Sequence, residues 1–293
     1  MKKIGLYLMG YKGLVCLQAI VKNNKSQLIA TVISSKDEAI QNDYYDEIAA
    51  YCIKNNIPFN NRKEIIEIKF DIAIAISWRW LIKFTDDIPL IVFHDSLLPK
   101  YRGFAPLVNS LVNAESKIGV TALFASEEYD KGNIIMQKGM DVSYPIKIEM
   151  AIESVSKCYA ELITSLFTML DSGAEIKAYP QIEADASYSL WLDENDYLIK
   201  WNQPAADIKR FIDSVGYPYN GACSFIKDQK VRIYESELCE DVKIENRVPG
   251  KVIFLKDNYP VVVCGKGLLM LVKIENETGQ SLIPLKNFRT QFL

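Results

Sequence analysis

His94 and Asp130 are the residues whose side chains could move a proton to and from a bound substrate. His94 is the single histidine among 293 residues, and it directly follows an apolar run, residues 90–93, that is typical of a buried strand. An imidazole can accept a proton from an amine near neutral pH, and a neighbouring carboxylate orients the ring and stabilises its cation. A lone histidine can also be a core residue bonded to a backbone carbonyl, and an aspartate before Gly132 can also be a turn residue. The surrounding sequence has to decide between these interpretations.

Two longer segments contain this pair. Residues 94–99 are HDSLLP, followed by an Arg-Gly step and a proline that predicts the first turn of a helix. Residues 119–132 are GVTALFASEEYDKG, which predicts a strand that leads into Asp130. The two segments resemble the signature motifs of the formyltransferases that use 10-formyltetrahydrofolate. In that family the aspartate follows the histidine by 36 positions, as Asp130 follows His94.

The resemblance covers the whole chain. Trp201, which precedes a short predicted helix, and the VPGKV segment at residues 248–252 are similar to the C-terminal part of methionyl-tRNA formyltransferases and of some sugar formyltransferases. The resemblance implies that a formyl group passes from 10-formyltetrahydrofolate, used as a co-substrate without a metal, to an amine. It also implies that His94 accepts the amine's proton and that Asp130 orients the ring.

Val92 departs from the family pattern. The family has an asparagine two residues before the histidine, and that asparagine donates to the developing oxyanion. Residues 92 and 94 of a strand lie on the same face, so Val92 would occupy the place of the amide. Loss of one such donor elsewhere costs about 10²–10³ in rate.

Three explanations for Val92 stay open. A donor is relocated to Ser96 or to Asn109, protonated His94 serves alone, or the protein has lost activity or transfers another acyl group. We expect a relocated donor, although Ser96 and Asn109 could equally be a loop cap and a helix-surface residue.

The folate pocket is predicted by resemblance from two loops. One loop ends the predicted strand at residues 70–77 and the other leads to Asp130. A flat ring with apolar faces and polar edges suits their mixture of side chains, although the two tryptophans could instead be core residues. The residues implied are Ser77, Trp78, Arg79, Trp80, Leu81, Glu127, Glu128 and Tyr129.

The acceptor amine is predicted from charge. The tRNA enzymes carry a basic insertion after the second strand, but residues 35–46 here hold one lysine and four acids, the wrong sign for a polyphosphate. An amino sugar carried on a nucleotide is therefore preferred, with initiator methionyl-tRNA second and a non-catalytic folate- or sugar-nucleotide-binding protein third. Arginine suits a pyrophosphate, although each cation could be a plain surface charge. The substrate-binding candidates are Met9, Gly10, Lys12, Tyr101, Arg102 and Gly103.

The order of predicted elements indicates an α/β protein. Strands alternate with helices up to about residue 180, which predicts a mostly parallel, Rossmann-like sheet, and the resemblance implies the formyltransferase fold. Later β-branched runs separated by turn residues predict a small C-terminal β-barrel of the OB-like type. We expect a catalytic domain at residues 1–182 and an accessory barrel domain at 183–293. Predicted strands are 4–9, 28–34, 70–77, 90–93, 119–125, 231–234, 251–255, 261–264 and 268–274, and predicted helices are 14–21, 44–54, 106–113, 148–170 and 205–214.

Composition limits the remaining function classes. The formal net charge is −3, so no cation excess favours nucleic acid, which is not expected as a partner. The sequence has no run of 18 apolar residues that would span a membrane. Six scattered cysteines without a C-x-x-C pair, beside one histidine, do not predict a zinc site and suit a reducing compartment, so we expect the cytoplasm. A monomer and a homodimer are both open.

Overall fold

Five parallel strands form one side of the central sheet. The computed structural model describes residues 2–38, 40–64, 68–82 and 88–293; Ala39, within the acidic segment at 35–46, lies outside them. The strands run in the order β3-β2-β1-β4-β5, and each neighbouring pair is parallel. The predicted parallel sheet is therefore confirmed. Its elements are β1 (Ile4–Leu8), α1 (Gly10–Lys22), β2 (Ile29–Ser34), α2 (Tyr45–Lys54), β3 (Phe59–Asn61), β4 (Ile72–Ile76) and β5 (Leu90–His94).

Two antiparallel strands complete this seven-stranded sheet beside β5. One of them was not predicted, because the run at residues 134–141 is mostly half-buried or exposed and lacks an apolar pattern. The elements are β6 (Arg102–Gly103), α3 (Pro106–Val112), β7 (Lys117–Phe124), β8 (Ile134–Asp141) and α4 (Ile148–Ser172).

Alternation along β5 separates two faces of the sheet. Phe93 stacks on Tyr159 of α4 with ring centroids 5.7 Å apart, so this face is covered by α4. Asn23, which caps α1, donates to Thr164 of α4 over 3.4 Å, so α1 lies beside α4 on that face. His94 alternates with Phe93 and is therefore directed to the opposite face.

An antiparallel sheet forms the C-terminal part of the chain. Its five strands have the order β10-β11-β14-β13-β12, which confirms the predicted β-rich module, whereas closure into a barrel stays a prediction. Trp201 is buried, donates from Nε1 to Ser224 over 3.0 Å and contacts the ring of Phe292. The elements are β9 (Tyr188–Ser189), α5 (Ala205–Val215), β10 (Ala222–Ile226), β11 (Gln229–Cys239), β12 (Val252–Lys256), β13 (Tyr259–Val263) and β14 (Leu268–Asn276).

The chain divides into two compact units. The first comprises residues 1–107, 116–142 and 150–191, and the second comprises 108–115, 143–149 and 192–293. Two short segments from the N-terminal half therefore belong to the C-terminal unit, while the predicted boundary after residue 182 stays a prediction. Within the described ranges, none of the helices has the length and apolar character needed to cross a membrane.

Candidate active site

The His94 imidazole lies at the carboxyl end of β5 and is 7% exposed. Its Nε2 is 2.7 Å from the backbone carbonyl oxygen of Tyr101. A carbonyl can only accept, so Nε2 must carry a hydrogen and donate it. Tyr101 has a left-handed backbone with φ of +59°, uncommon outside glycine. In the neutral ring, Nδ1 is then the nitrogen with a free lone pair.

Asp130 lies on the other side of that ring. Its Oδ1 is 3.5 Å from His94 Nδ1, and its Oδ2 accepts a hydrogen bond from the backbone N–H of Gly103 over 2.8 Å. Although 36 positions apart in the chain, the two predicted catalytic side chains are brought together here. A proton taken up at Nδ1 would be held next to a carboxylate, which stabilises the resulting cation.

The backbone path of the signature loop, residues 94–103, requires glycine at position 103. Its φ is +99°, and a Cβ there would come within 2.6 Å of the carbonyl oxygen of Ser189. The close approach lets β6 pair with β9, and the N–H of Gly103 then meets Asp130. The N–H of Gly103 is already hydrogen-bonded within the protein and gives no support to a role in substrate binding. That role stays a prediction.

The hydroxyl groups of Ser96 and Thr121 form hydrogen bonds that stabilise the signature loop. The Ser96 hydroxyl donates to the carbonyl of Lys100 over 2.6 Å, and Thr121 donates to the carbonyl of Ser96 over 2.7 Å. A hydroxyl has one hydrogen to donate. This geometry speaks against Ser96 as the relocated oxyanion donor. Asn109, the other candidate, belongs to the part of α3 that lies in the second unit.

Val92 lies on the same face as His94, in an apolar row that crosses the sheet. Tyr7 pairs with Ala75 and Ala75 with Val92 in neighbouring strands, so all three share this face. Val92, Trp78 and Ala125 pack against one apolar cluster there, formed by Ala73, Ala75 and Leu90. The two loops predicted to bind folate thus border the same part of the sheet.

Trp78 presents an unsatisfied polar group in this cluster. Its ring makes edge contacts with Tyr7 and Trp80, at centroid distances of 5.1 and 5.2 Å. Its indole Nε1 is buried and has no hydrogen-bond partner among the described residues. A buried donor without a partner costs about 1–3 kcal/mol. This nitrogen has almost no accessible surface in the structure, so a folate-binding role for Trp78 stays a prediction.

The other predicted folate residues are mostly at the surface. Ser77 has a left-handed backbone with φ of +53°, and Arg79 is paired with Asp37 at 2.8 Å. The guanidinium carbon of Arg62 lies over the ring of Trp80, 4.1 Å from the ring centroid. Tyr129 is 71% exposed and contacts Phe104, with ring centroids 6.1 Å apart. Exposed side chains are also found at Leu81, Glu127 and Glu128.

The cations predicted to bind substrate have partners within the chain. The ammonium of Lys12 is paired with Asp95. The guanidinium of Arg102 is 1% exposed, and its Nη1 donates to both Glu183 oxygens over 3.0 and 2.8 Å. Neither side chain is directed to solvent as an unpaired cation, so a role in binding a pyrophosphate gains no support from their positions. The other candidates in the first loop, Met9 and Gly10, are buried and half-buried respectively.

Asp95 forms a buried polar cluster on the face opposite His94. Tyr159 of α4 donates to Asp95 Oδ1 over 2.5 Å, and Lys12 of α1 pairs with Oδ2. Burial by itself would raise the pKa of Asp95, but the Lys12 charge and the hydrogen bonds from Lys12 and Tyr159 outweigh it and hold this pKa below its ordinary value. The cluster ties the residue after His94 to both helices on that face.

The sequence reasoning missed Asp95, Tyr159 and Gln181. The signal for Asp95 was its place beside His94, whereas Tyr159 and Gln181 lie in segments without a motif. The Gln181 amide donates to the carbonyls of Asp130 and Gly132 over 2.6 and 2.9 Å. Among the residues that the structure describes, no group of three or more His, Cys, Asp or Glu side chains could hold a metal ion.

Comparison with known proteins identifies the family. Residues 12–163, just over half of the chain, match the family Formyl transferase, and residues 192–291 match Formyl transferase, C-terminal domain. The chain belongs to the formyl transferase family. It is a folate-dependent N-formyltransferase, and the formyl donor of the family is 10-formyltetrahydrofolate.

Individual relatives of this formyltransferase differ in their acceptors. A methionyl-tRNA formyltransferase of Thermodesulfovibrio yellowstonii is 33% identical over 230 residues, which cover 77% of this chain and 72% of that protein. The structure of WlaRD, a sugar 3N-formyl transferase in the presence of dTDP and 5-N-formyl-THF, has a TM-score of 0.67 at 21% identity and covers 92% of this chain and 97% of WlaRD.

A third likeness is to a longer protein. A variant of HypX from Aquifex aeolicus has a TM-score of 0.65 at 16% identity over 96% of this formyltransferase, which spans about half of HypX, 46% of its chain. At these identities the solved structures show the shared fold alone. The expectation that nucleic acid is not a partner is not confirmed, because the relative from T. yellowstonii is a tRNA enzyme.

Lys12→Met is predicted to destabilise the formyltransferase in a pH-dependent way. Because the folded pKa of Asp95 is lowered, the pair contributes stability above the unfolded pKa, and this is lost as pH falls through the folded pKa. The variant leaves a carboxylate that is 20% exposed without its cation, which costs at most about 3 kcal/mol at pH 7. At pH 5 the loss shrinks, because the unpaired Asp95 can take up a proton. Urea unfolding at both pH values measures this.

Lys22→Met, in the last turn of the same helix and exposed, is the matched control. It removes the same charge without touching Asp95 and should change stability little at either pH. Equal losses in the two variants, or a Lys12→Met loss that is independent of pH, would contradict the assignment.

Proposed function

We propose that this formyltransferase acts on the primary amine of a nucleotide-linked amino sugar. The observation that carries the proposal is the charge of the segment after β2. The backbone carbonyl of Asp43 accepts from the N–H of Gly10 at the start of α1 over 3.2 Å, and the Asp43 carboxylate accepts from the N–H groups of Asp37 and Tyr45. Acidic residues therefore stand beside the first loop.

The acidic segment is unfavourable for a tRNA. A polyphosphate gains affinity from lysine and arginine contacts, and each acidic residue near its path opposes binding. A nucleotide-linked sugar carries only a diphosphate, so its binding depends less on cationic contacts than the binding of a tRNA does. WlaRD, which has the same fold over nearly its whole length, is a sugar formyltransferase.

Methionyl-tRNA formylation is the second candidate function. It is favoured by the 33% identity to the enzyme of T. yellowstonii, a stronger sequence likeness than that to WlaRD. A third candidate, a folate- or sugar-nucleotide-binding protein without catalysis, rests on Val92, which lacks the donor that an asparagine would provide there.

The proposed roles follow from the geometry around His94. When bound, 10-formyltetrahydrofolate supplies an activated formyl carbon for attack by the amine. His94 Nδ1 accepts the proton that the attacking nitrogen loses, while Nε2–H stays bonded to the carbonyl of Tyr101. The same proton then passes to N10 of the folate as the bond between N10 and the formyl carbon breaks, so that tetrahydrofolate leaves. Asp130 balances the new charge from 3.5 Å, and Gly103 holds its second oxygen. Trp78, Val92 and the neighbouring apolar cluster would hold the pterin ring.

We propose that His94 itself takes the place of the missing amide at position 92, and a donor at Asn109 stays the alternative. Ser96 spends its hydroxyl hydrogen on Lys100, so it does not serve as donor in this geometry. Once protonated at Nδ1, the imidazolium directs its two N–H groups at the Tyr101 carbonyl and at Asp130, so it acts on the reacting carbonyl through its positive charge. We infer that this cation stabilises the oxyanion in place of the asparagine.

A substrate screen tests the function. Purified protein and 10-formyltetrahydrofolate are mixed separately with nucleotide-linked amino sugars, with the free amino sugars and with charged initiator tRNA. A mass gain of one formyl group on a nucleotide-linked sugar is expected, with at least about tenfold lower kcat/KM for the free sugar, because the nucleotide contributes binding energy. Turnover with the tRNA alone would establish the second candidate. Folate binding without transfer to any amine would establish the third.

His94→Asn is predicted to lower kcat by at least about a hundredfold, because it removes the group that takes up the proton. The fold and the affinity for tetrahydrofolate should change little, which circular dichroism and calorimetry check. Turnover within a few-fold of the wild type would remove His94 from the mechanism.

Val92→Asn is predicted to retain activity, with kcat at or above the wild-type value, because it adds an amide donor on the face that His94 shares. Val92→Leu is the control, since it adds similar volume without a donor and should not raise kcat. An inactive but folded Val92→Asn protein would show that the pocket depends on an apolar residue there.

A further inference from the structure

Gln181 lies against the backbone of the loop that carries Asp130. Its Nε2 donates to the carbonyl oxygens of Asp130 and Gly132, over 2.6 and 2.9 Å. The side-chain amide has two N–H donors, and both are used on this one loop. Its Oε1 accepts from Arg102 Nε over 3.0 Å. Carbonyls only accept and a guanidinium only donates, so this is the single orientation of the amide that satisfies all three contacts.

The loop that accepts these hydrogen bonds from Gln181 has a constrained backbone conformation. Asp130 has a left-handed backbone with φ of +56°, which costs a non-glycine residue of the order of 1–3 kcal/mol. Gly132 passes so close to β7 that a Cβ would lie 1.7 Å from the carbonyl oxygen of Phe124. Such a conformation persists only where surrounding contacts stabilise it, and the two hydrogen bonds from Gln181 are directed at the carbonyls on either side of Lys131.

Gln181 also connects this loop to the segment that contacts His94. Arg102 stands between Tyr101, whose carbonyl binds His94, and Gly103, whose N–H binds Asp130. Its guanidinium is 1% exposed and also donates to Glu183 and to the hydroxyl of Tyr188 over 3.1 Å. The amide of Gln181 therefore joins the two backbone segments that fix the two sides of the imidazole.

The position of Gln181 is itself fixed by the backbone. Tyr179 pairs with Ile134, the first residue of β8, through reciprocal backbone hydrogen bonds of 2.8 and 2.9 Å. Two residues later, Gln181 reaches the turn that precedes that strand. The amide is thus delivered by a backbone pairing that does not involve the site, which suits a residue that orients others.

We propose that Gln181 is the positioning residue for Asp130: through its two donors it sets the direction of the Asp130 carboxylate toward His94. The inference rests on the proposed roles of His94 and Asp130 in formyl transfer. A displacement of about 1 Å at a reacting group can cost a hundredfold in rate, so a carboxylate 3.5 Å from its partner is sensitive to small movements of its loop.

Two substitutions separate the contacts of Gln181. Gln181→Met removes the donors and the acceptor at similar volume, while Gln181→Glu keeps an oxygen for Arg102 but removes both donors. Both are expected to lower kcat by about tenfold or more, with the KM values for folate and amine within about twofold of the wild type, because substrate contacts are intact. Gln27→Met, at an exposed position of the same unit, should leave all of these unchanged. Full activity of Gln181→Glu would overturn the proposal.

The decisive comparison is made in an Asp130→Asn background. If Gln181 acts through Asp130, adding Gln181→Met to Asp130→Asn should lower kcat by less than about twofold, because effects of residues that act as a unit are not additive. A loss as large in this background as in the wild type would show a general structural role and overturn the positioning role.

A spectroscopic measurement makes the outcome independent of the acceptor. Because His94 is the single histidine, labelled histidine gives one set of imidazole signals. At fixed pH, Gln181→Met should move the Nδ1 signal in the direction produced by Asp130→Asn, the double variant should match Asp130→Asn, and Gln27→Met should not move it. An unmoved signal in Gln181→Met contradicts the positioning role even if no formyl transfer is found, whereas absence of transfer by the wild type contradicts only the proposed function.

Discussion

The imidazole of His94 lies between two groups that accept hydrogen bonds. One is a backbone carbonyl, and the other is a carboxylate, which has no hydrogen to donate when it is ionised. The Tyr101 carbonyl at 2.7 Å requires a hydrogen on Nε2, which leaves Nδ1 facing Asp130 at 3.5 Å. This arrangement selects the nitrogen that can take up a proton and places a negative charge next to it. The rest of the first unit serves to hold these two acceptors in place around the ring.

Several backbone conformations that are rare for non-glycine residues lie in the loops at or beside this site. Ser77, Tyr101, Ala105 and Asp130 all have φ between +45° and +59°. Each is costly in isolation, and such residues persist where other contacts determine the chain path. Here the contacts are specific hydrogen bonds, such as those from Gln181 to the Asp130 loop and from the N–H of Tyr101 to the Ser187 hydroxyl over 2.9 Å. Strain in the loops is thus linked to precise placement of the reacting groups.

The two faces of the sheet differ in character at this site. On one face Asp95, Lys12 and Tyr159 form a closed polar cluster that ties the end of β5 to two helices. On the other, Val92 and Trp78 line an apolar surface beside His94. An apolar surrounding strengthens the interaction between a transient imidazolium and an oxyanion, since it lowers the local dielectric. A valine in place of an amide is compatible with such a site if the charge of the cation stabilises the oxyanion.

Most elements of the fold were predictable from hydrophobic periodicity, because each depends on neighbours in sequence. Four of the five parallel strands, all except β3, and the helices at 45–54, 148–172 and 205–215 lie close to where the pattern placed them. β8 was missed because its half-exposed residues carry no apolar pattern, and its pairing with β7 is a long-range contact. Charge was a weaker guide, since pairing partners such as Asp95 for Lys12 and Glu183 for Arg102 cannot be read from spacing.

The sequence by itself predicted His94 and Asp130 as the reacting pair, because their spacing lies within two motifs that can be recognised from residue types alone. Only the tertiary structure decided how the pair is held. The Tyr101 carbonyl, the Gly103 N–H and the Gln181 amide act through backbone atoms or from a segment without a motif, 51 positions from Asp130 in the case of Gln181. Residue types do not show which backbone groups will form hydrogen bonds with each other. The orientation of His94 and Asp130 is therefore known only from the folded chain.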